Sequence, residues 1–126
     1  MSFSRELLIG KWYRSDVDES GQHHTEYAHM AIDGSYEFTF ISHDEDGAIT
    51  EQVIELGDWG LVGDIHFTIT KGQLINGDHC EADFCDANNY HAYQVIQLNT
   101  QFFEYRHIVS DEVFIMRRVV DKLGLC

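Results

Sequence analysis

The chain contains no proline, so its turns must be made by Gly, Asp, Asn and Ser. It has three cysteines, Cys80, Cys85 and Cys126, which cannot all pair within one chain. No disulfide framework is expected, and free thiols suit a reducing compartment. No apolar run approaches the ~18 residues needed to span a bilayer. The opening stretch MSFSRELLIG lacks the basic region and long apolar segment of a secretory signal, and the expected location is the cytoplasm. Basic residues are scarce as well: eight Lys and Arg stand against 22 Asp and Glu, for a net charge of −14. Phosphate backbones and anionic membrane surfaces would both be repelled. Neither nucleic acid nor a membrane is expected as a partner.

What is present fits a packed domain. The chain has 126 residues, 44% apolar and 13% aromatic, enough for one core over residues 1–126 and too few for two. Helix-period stripes are rare, whereas alternating, β-branched and aromatic runs are common. Turn signals separate those runs: Asp33-Gly34, the HDEDG stretch from His43 to Gly47, Gly63-Asp64, Asn99-Thr100 and Ser110-Asp111. Asp-Gly is a strong hairpin signal because its backbone tolerates the positive φ such turns require.

These marks delimit eight strands, over 10–15, 23–32, 35–42, 48–61, 65–70, 90–98, 101–109 and 112–119. Short connections make them an antiparallel meander, and eight such strands can close on themselves and remove their edges. The expected fold is all-β, an up-and-down barrel. Gly57 and Gly60 interrupt the long fourth strand and mark a bulge or bend. A helical turn is expected over 3–8, capped by Ser2 or Ser4, with Leu7 and Leu8 inward. Residues 71–89 are too long for a hairpin turn, and Asp78-x-x-Glu81 resembles a helix start. A short helix over about 79–87 is expected there, in a loop long enough to act as a lid.

Period-2 alternation assigns the faces. Tyr36, Phe38 and Phe40 share one side of the third strand. Ile54 and Leu56 share one side of the fourth, opposite Val53 and Glu55. In the fifth, Ile65, Phe67 and Ile69 oppose His66, Thr68 and Thr70, and these apolar sets are expected inside. Placing Glu104 and Arg106 outward turns Phe103, Tyr105 and His107 inward. The sixth strand has two mixed faces, one with His91 and Tyr93, and its orientation stays open. Aromatics with a few hydroxyl and imidazole groups compose a pocket for a small, mostly apolar ligand. They also compose a filled core whose polar tips satisfy one another.

The stretch Leu8-Ile9-Gly10-Lys11-Trp12-Tyr13 carries a Gly-x-Trp signature, and Arg117-Arg118 closes the last strand. Between them stand Asp33-Gly34-Ser35-Tyr36-Glu37-Phe38 and Gly57-Asp58-Trp59-Gly60-Leu61-Val62-Gly63-Asp64. In this order the chain resembles lipocalin-like domains of the calycin superfamily, as found in bacteria, along nearly its whole length. The resemblance implies a barrel whose first-strand tryptophan is covered by a terminal arginine in a cation–π contact. Gly10, Trp12 and Arg117 are the expected closure, Arg117 being chosen because it aligns with Val113 and Ile115. Compared with secreted lipocalins the chain is shorter, shows no signal peptide and has no recognisable helix after the barrel. Residues 15–22 are too short for the helix pair of fatty-acid-binding relatives.

The implied function is binding of a small hydrophobic or amphipathic molecule. Its lining would be Tyr36, Phe38, Phe40, Trp59, Phe67, Tyr93, Phe103, Tyr105 and His107. Two other readings stay open. One is a filled barrel serving interaction or homo-oligomerisation. The other is a haem protein or pocket enzyme of the calycin kind, with His107 as an iron ligand or as a proton-transfer partner of Tyr93 or Tyr105. No nucleophile elbow, P-loop, dinucleotide fingerprint or HExxH occurs, so no catalytic residue is named. His23-His24 face opposite sides of a strand and cannot jointly chelate. The spacing of Cys80 and Cys85, with His79, Asp83, Asp86 and His91 nearby, does not match a zinc knuckle. No metal and no cofactor are expected. The acidic runs at 16–19 and 44–46 read as solvated turns.

Overall fold

The computed structural model describes residues 3–119. Ser2, Cys126 and the segment after the last strand from residue 120 onward lie outside the described residues. The strands are β1 (Gly10–Val17), β2 (His23–Met30), β3 (Ser35–His43), β4 (Ile49–Val62), β5 (Ile65–Ile75), β6 (Asp78–Glu81), β7 (Tyr90–Leu98), β8 (Phe102–His107) and β9 (Val113–Arg118). All pairings are antiparallel. Eight strands form a closed circuit, β1 to β5 followed by β7 to β9, with β9 returning to β1 through Trp12 opposite Arg118. The expected eight-stranded antiparallel barrel is therefore present.

β6 is the extra strand. It pairs with Gly72–Ile75, the half of β5 that runs beyond β7. The expected helix over 79–87 is not formed. Asn76 and Gly77 hold φ of 50° and 92°, the conformation of a tight hairpin, so the chain folds straight back as β6. Beyond β6 the chain turns again, with Asp83 accepting from the Cys85 N–H and Asp86 from the Asn88 N–H. A single 3-10 turn, Ala87–Asn89, leads into β7.

One helical turn, α1 (Arg5–Leu8), crosses one end of the barrel. The Phe3 N–H donates to the Gly63 carbonyl, and Arg5 donates to the Ile32 carbonyl at 2.9 Å. The turns 31–34, 63–64 and 99–101 gather at this end. The connections 18–22, 44–48, 76–89 and 108–112 emerge at the other.

Two strands present the face opposite to the expected one. On β5, His66, Thr68 and Thr70 point inward, while Ile65, Phe67 and Ile69 are on the outer side. On β4, Phe38 lies opposite Glu55, so Val53 and Glu55 face in and Ile54 and Leu56 face out. The register supplies the reason. Tyr36 is inward and opposite Gly57; two residues further on, Trp59 is inward and opposite Thr68. Gly60 then faces outward opposite Phe67, and a Cβ on Gly60 would collide with the Phe67 ring. The aromatic ring thus fills the glycine gap from outside. The expected irregularity in β4 falls at Leu56/Gly57, where the β4–β5 register shifts.

The core concentrates at the α1 end. Leu8, Trp12, Ala28, Met30, Phe103 and Met116 are buried there almost completely.

Candidate functional site

The floor of the barrel is built on Trp12. Its ring is fully buried and its Nε1 donates to the Leu8 carbonyl at 2.9 Å. The Arg118 guanidinium lies over the ring, its carbon 4.0 Å from the centroid. Arg118 also donates from Nη1 to the Ile9 carbonyl at 2.6 Å and from Nη2 to the Leu7 carbonyl. The Leu7 and Leu8 carbonyls that end α1, and the Ile9 carbonyl just beyond it, are satisfied in this way by Trp12 and Arg118. Gly10 has φ 131°, and a Cβ there would fall on Arg118 Nη1, so glycine both permits the bend and leaves room for the guanidinium.

The closing arginine is therefore Arg118 and not Arg117. Val113 and Ile115 are half exposed on the outer face, and Arg117 goes with them, lying over Phe102. Phe114, Met116 and Arg118 form the inner row. β-Branched residues suit either face of a strand, so their alignment misassigned the arginine.

Above this floor lies a cavity of about 290 Å³. Six of the nine expected lining residues border it: Tyr36, Phe38, Phe40, Tyr93, Phe103 and Tyr105. Three do not. Trp59 is inward but belongs to the floor, where Nε1 donates to the Ala31 carbonyl at 2.9 Å and Arg5 lies over its ring. Phe67 is on the outer face, against Gly60. His107 sits at the open end, and its Nδ1 accepts from the Val109 and Ser110 N–H groups. Its Nε2 therefore carries the proton and donates to His91 Nδ1 at 3.1 Å.

The remaining walls are Glu26, Met30, Glu55, His66, Thr68, His91 and Phe114. Sequence reasoning missed Glu55, His66 and Thr68 because it turned the apolar phase of β4 and β5 inward; it left the orientation of the His91 strand open and gave Glu26 no face. The signal was nevertheless present: once Phe38 is inward, its cross-strand partner Glu55 must be inward too.

Burial sets the protonation of this interior. His66 is 2% exposed, and desolvation pushes its pKa down to about 4. Only a protonated Nδ1 can pair with the Gly60 carbonyl, 3.2 Å away, so the neutral ring leaves Nε2 as an acceptor. Tyr36 is pushed up to about 12 by burial, partly offset by its bond to Thr70 Oγ1 at 2.6 Å. Burial raises Tyr93 and Tyr105 further. These phenols stay neutral around neutral pH. Burial also raises Glu55, against a hydrogen bond from Gln73. Glu26 forms a two-pronged ion pair with Arg14, whose guanidinium lies 5.0 Å from the Phe114 ring centre.

Among the described residues no group of three or more His, Cys, Asp or Glu side chains is arranged to hold a metal ion. Cys80 and Cys85 are exposed free thiols. No described helix is long and apolar enough to cross a membrane.

No family model and no curated protein matches the chain. Among solved structures, a lipocalin-like protein from Bacteroides uniformis superposes with a TM-score of 0.53. The match covers 90% of this chain and 99% of that one, at 19% identity. Likeness at that identity speaks to architecture. Together with the closed barrel and the Trp12–Arg118 floor, it establishes a lipocalin-like fold.

Proposed function

We propose that this protein binds a small amphipathic molecule in the barrel interior. The observation that carries this reading is the 290 Å³ cavity between the Trp12 floor and the open end. A barrel of this strand number can be filled completely by its own side chains, and this one is not. The volume is near the lower end of the roughly 300–1,000 Å³ of ligand pockets. It suits a molecule of one or two rings better than a long acyl chain. Aromatic walls broken by a few convergent polar groups are the composition that orients such a ligand.

A reducing, cytoplasmic setting is part of the proposal, supported by the two exposed thiols. In this reading His107 shapes the mouth through its bonds to His91 and to the 107–112 turn.

The test is saturable uptake of an apolar dye that fluoresces only when dry. The wild-type barrel is expected to take up one dye molecule, and Thr68→Trp, which projects a large ring into the cavity, is expected to abolish uptake. Absence of uptake by the wild type, or undiminished uptake by Thr68→Trp, overturns the reading.

A further inference from the structure

We propose that the molecule bound in the barrel is an organic cation, an amine or ammonium carried on a small apolar body, with Glu55 as its counter-charge. This rests on the binding function proposed above and narrows it to one ligand class.

Glu55 borders the cavity and is half-buried. Its cross-strand neighbour on β5 is Gln73, whose amide is neutral. Among the described residues the ion pairs are Arg14–Glu26, Lys71–Asp58 and Arg106–Asp111, with a His24–Asp18 hydrogen bond beside them, and Glu55 belongs to none of these contacts. A carboxylate withdrawn from water without a cation is costly. A bound ammonium would remove that cost.

The walls point the same way. Phe38 and Phe40 stack at 4.7 Å between ring centres, and with Tyr36 and Tyr93 they border the same cavity as Glu55. Glu55 lies near enough to both tyrosines to raise their pKa values electrostatically. Aromatic faces beside a carboxylate attract a cation twice, through the ring quadrupoles and through the charge. His66 adds the acceptor Nε2.

An anionic ligand finds no such provision. No arginine or lysine borders the cavity among the described residues, and Arg14, which lies over the cavity-lining Phe114, already has Nε and Nη2 on Glu26. The approach is acidic too. The four connections at the open end carry Asp18-Glu19, Asp44-Glu45-Asp46 and Asp111-Glu112, among other acids, and no lysine or arginine. A mouth of one sign concentrates ligands of the other and repels carboxylates.

The experiment is calorimetric titration of the full chain at low salt with three probes of similar size: phenethylamine, phenethyl alcohol and phenylacetate. The amine is expected to bind about tenfold or more tighter than the alcohol, with phenylacetate weakest. Glu55→Gln, isosteric and checked for fold by far-ultraviolet circular dichroism, should bring the amine down to the alcohol's affinity and leave the alcohol unchanged. Phe38→Leu keeps the carboxylate and should weaken the amine about threefold or more through the lost ring. Equal binding of amine and alcohol by the wild type, or an amine preference that survives Glu55→Gln, overturns the cation assignment. If the apolar dye binds and the amine does not, the assignment fails while the binding function stands. If neither binds, both fall.

Discussion

Arg118 and Trp12 lock the barrel from two chain ends at once: the guanidinium covers the indole at 4.0 Å and donates to the Ile9 carbonyl at 2.6 Å. Arg117, one residue away, lies outside over Phe102 at 5.5 Å. Arg118→Ala loses a cation–π contact of about 0.5–2 kcal/mol and strands the carbonyls of Leu7, in α1, and of Ile9, just beyond it. Its expected cost is about 3 kcal/mol, against less than about 1 kcal/mol for Arg117→Ala. Urea denaturation of the two variants decides it. Equal costs would show that closure does not depend on this contact.

Legibility in the sequence divides by the range of the physics involved. Gly10-x-Trp12 and the hairpin turns were legible because turn chemistry is local and glycine is hard to replace where φ is positive. Asn76-Gly77 is the same kind of signal, and it outranks the helix-like spacing of Asp78 and Glu81 just after it. The faces of β5 were not legible, because IHFTIT alternates perfectly in either phase. Sending the apolar phase inward suits a filled core; in a hollow barrel, Thr68 and His66 can border the cavity while Phe67 covers Gly60. Tyr36 held the correct answer, since its inward ring fixes Gly57, Trp59 and then Gly60 in sequence. The same step from Phe38 would have found Glu55.

The inverted face of β5 gives a direct comparison of two phenylalanines. Phe103, 1% exposed, packs 5.6 Å from Trp12 and 4.3 Å from Tyr105 between ring centres. Phe103→Ala should cost about 3–5 kcal/mol and enlarge the cavity. Phe67→Ala removes a half-buried ring from the outside, at about 1–2 kcal/mol, and should leave dye uptake unchanged. Chemical denaturation and dye titration on both variants test this. A loss of uptake in Phe67→Ala would place that ring inside after all.

Alkaline titration reads the buried phenols. Tyr36 ionises near 12 in the fold against 10.0 when free, so the unfolded chain releases its proton first. Its contribution to stability is complete below about pH 10 and is lost as the pH rises towards 12. Thr70→Val removes a hydrogen bond that favours the phenolate, so Tyr36 should titrate later still. Phenolate absorbance in wild type and variant is the measurement. An earlier titration in Thr70→Val would mean that Thr70 stabilises the neutral phenol instead.

The acid side is governed by His66. Burial lowers its pKa from 6.5 to about 4, so the unfolded chain takes up a proton that the folded chain refuses. Above pH 6.5 both states are neutral and the group is indifferent to pH. Between 6.5 and 4 the unfolded state gains, and at roughly 1.36 kcal/mol per unit the fold loses about 3 kcal/mol. Below 4 the loss is complete. In His66→Gln the amide can still donate towards the Gly60 carbonyl, yet it carries no titrating proton. Carboxylates titrate in the same span in both proteins, so the informative quantity is the difference between their stability curves. That difference should be flat above pH 6.5 and should move in favour of His66→Gln by about 3 kcal/mol on acidification to pH 4. Curves that stay parallel throughout would mean that the imidazole reaches water, and that the wall between β4, β5 and β7 is not dry.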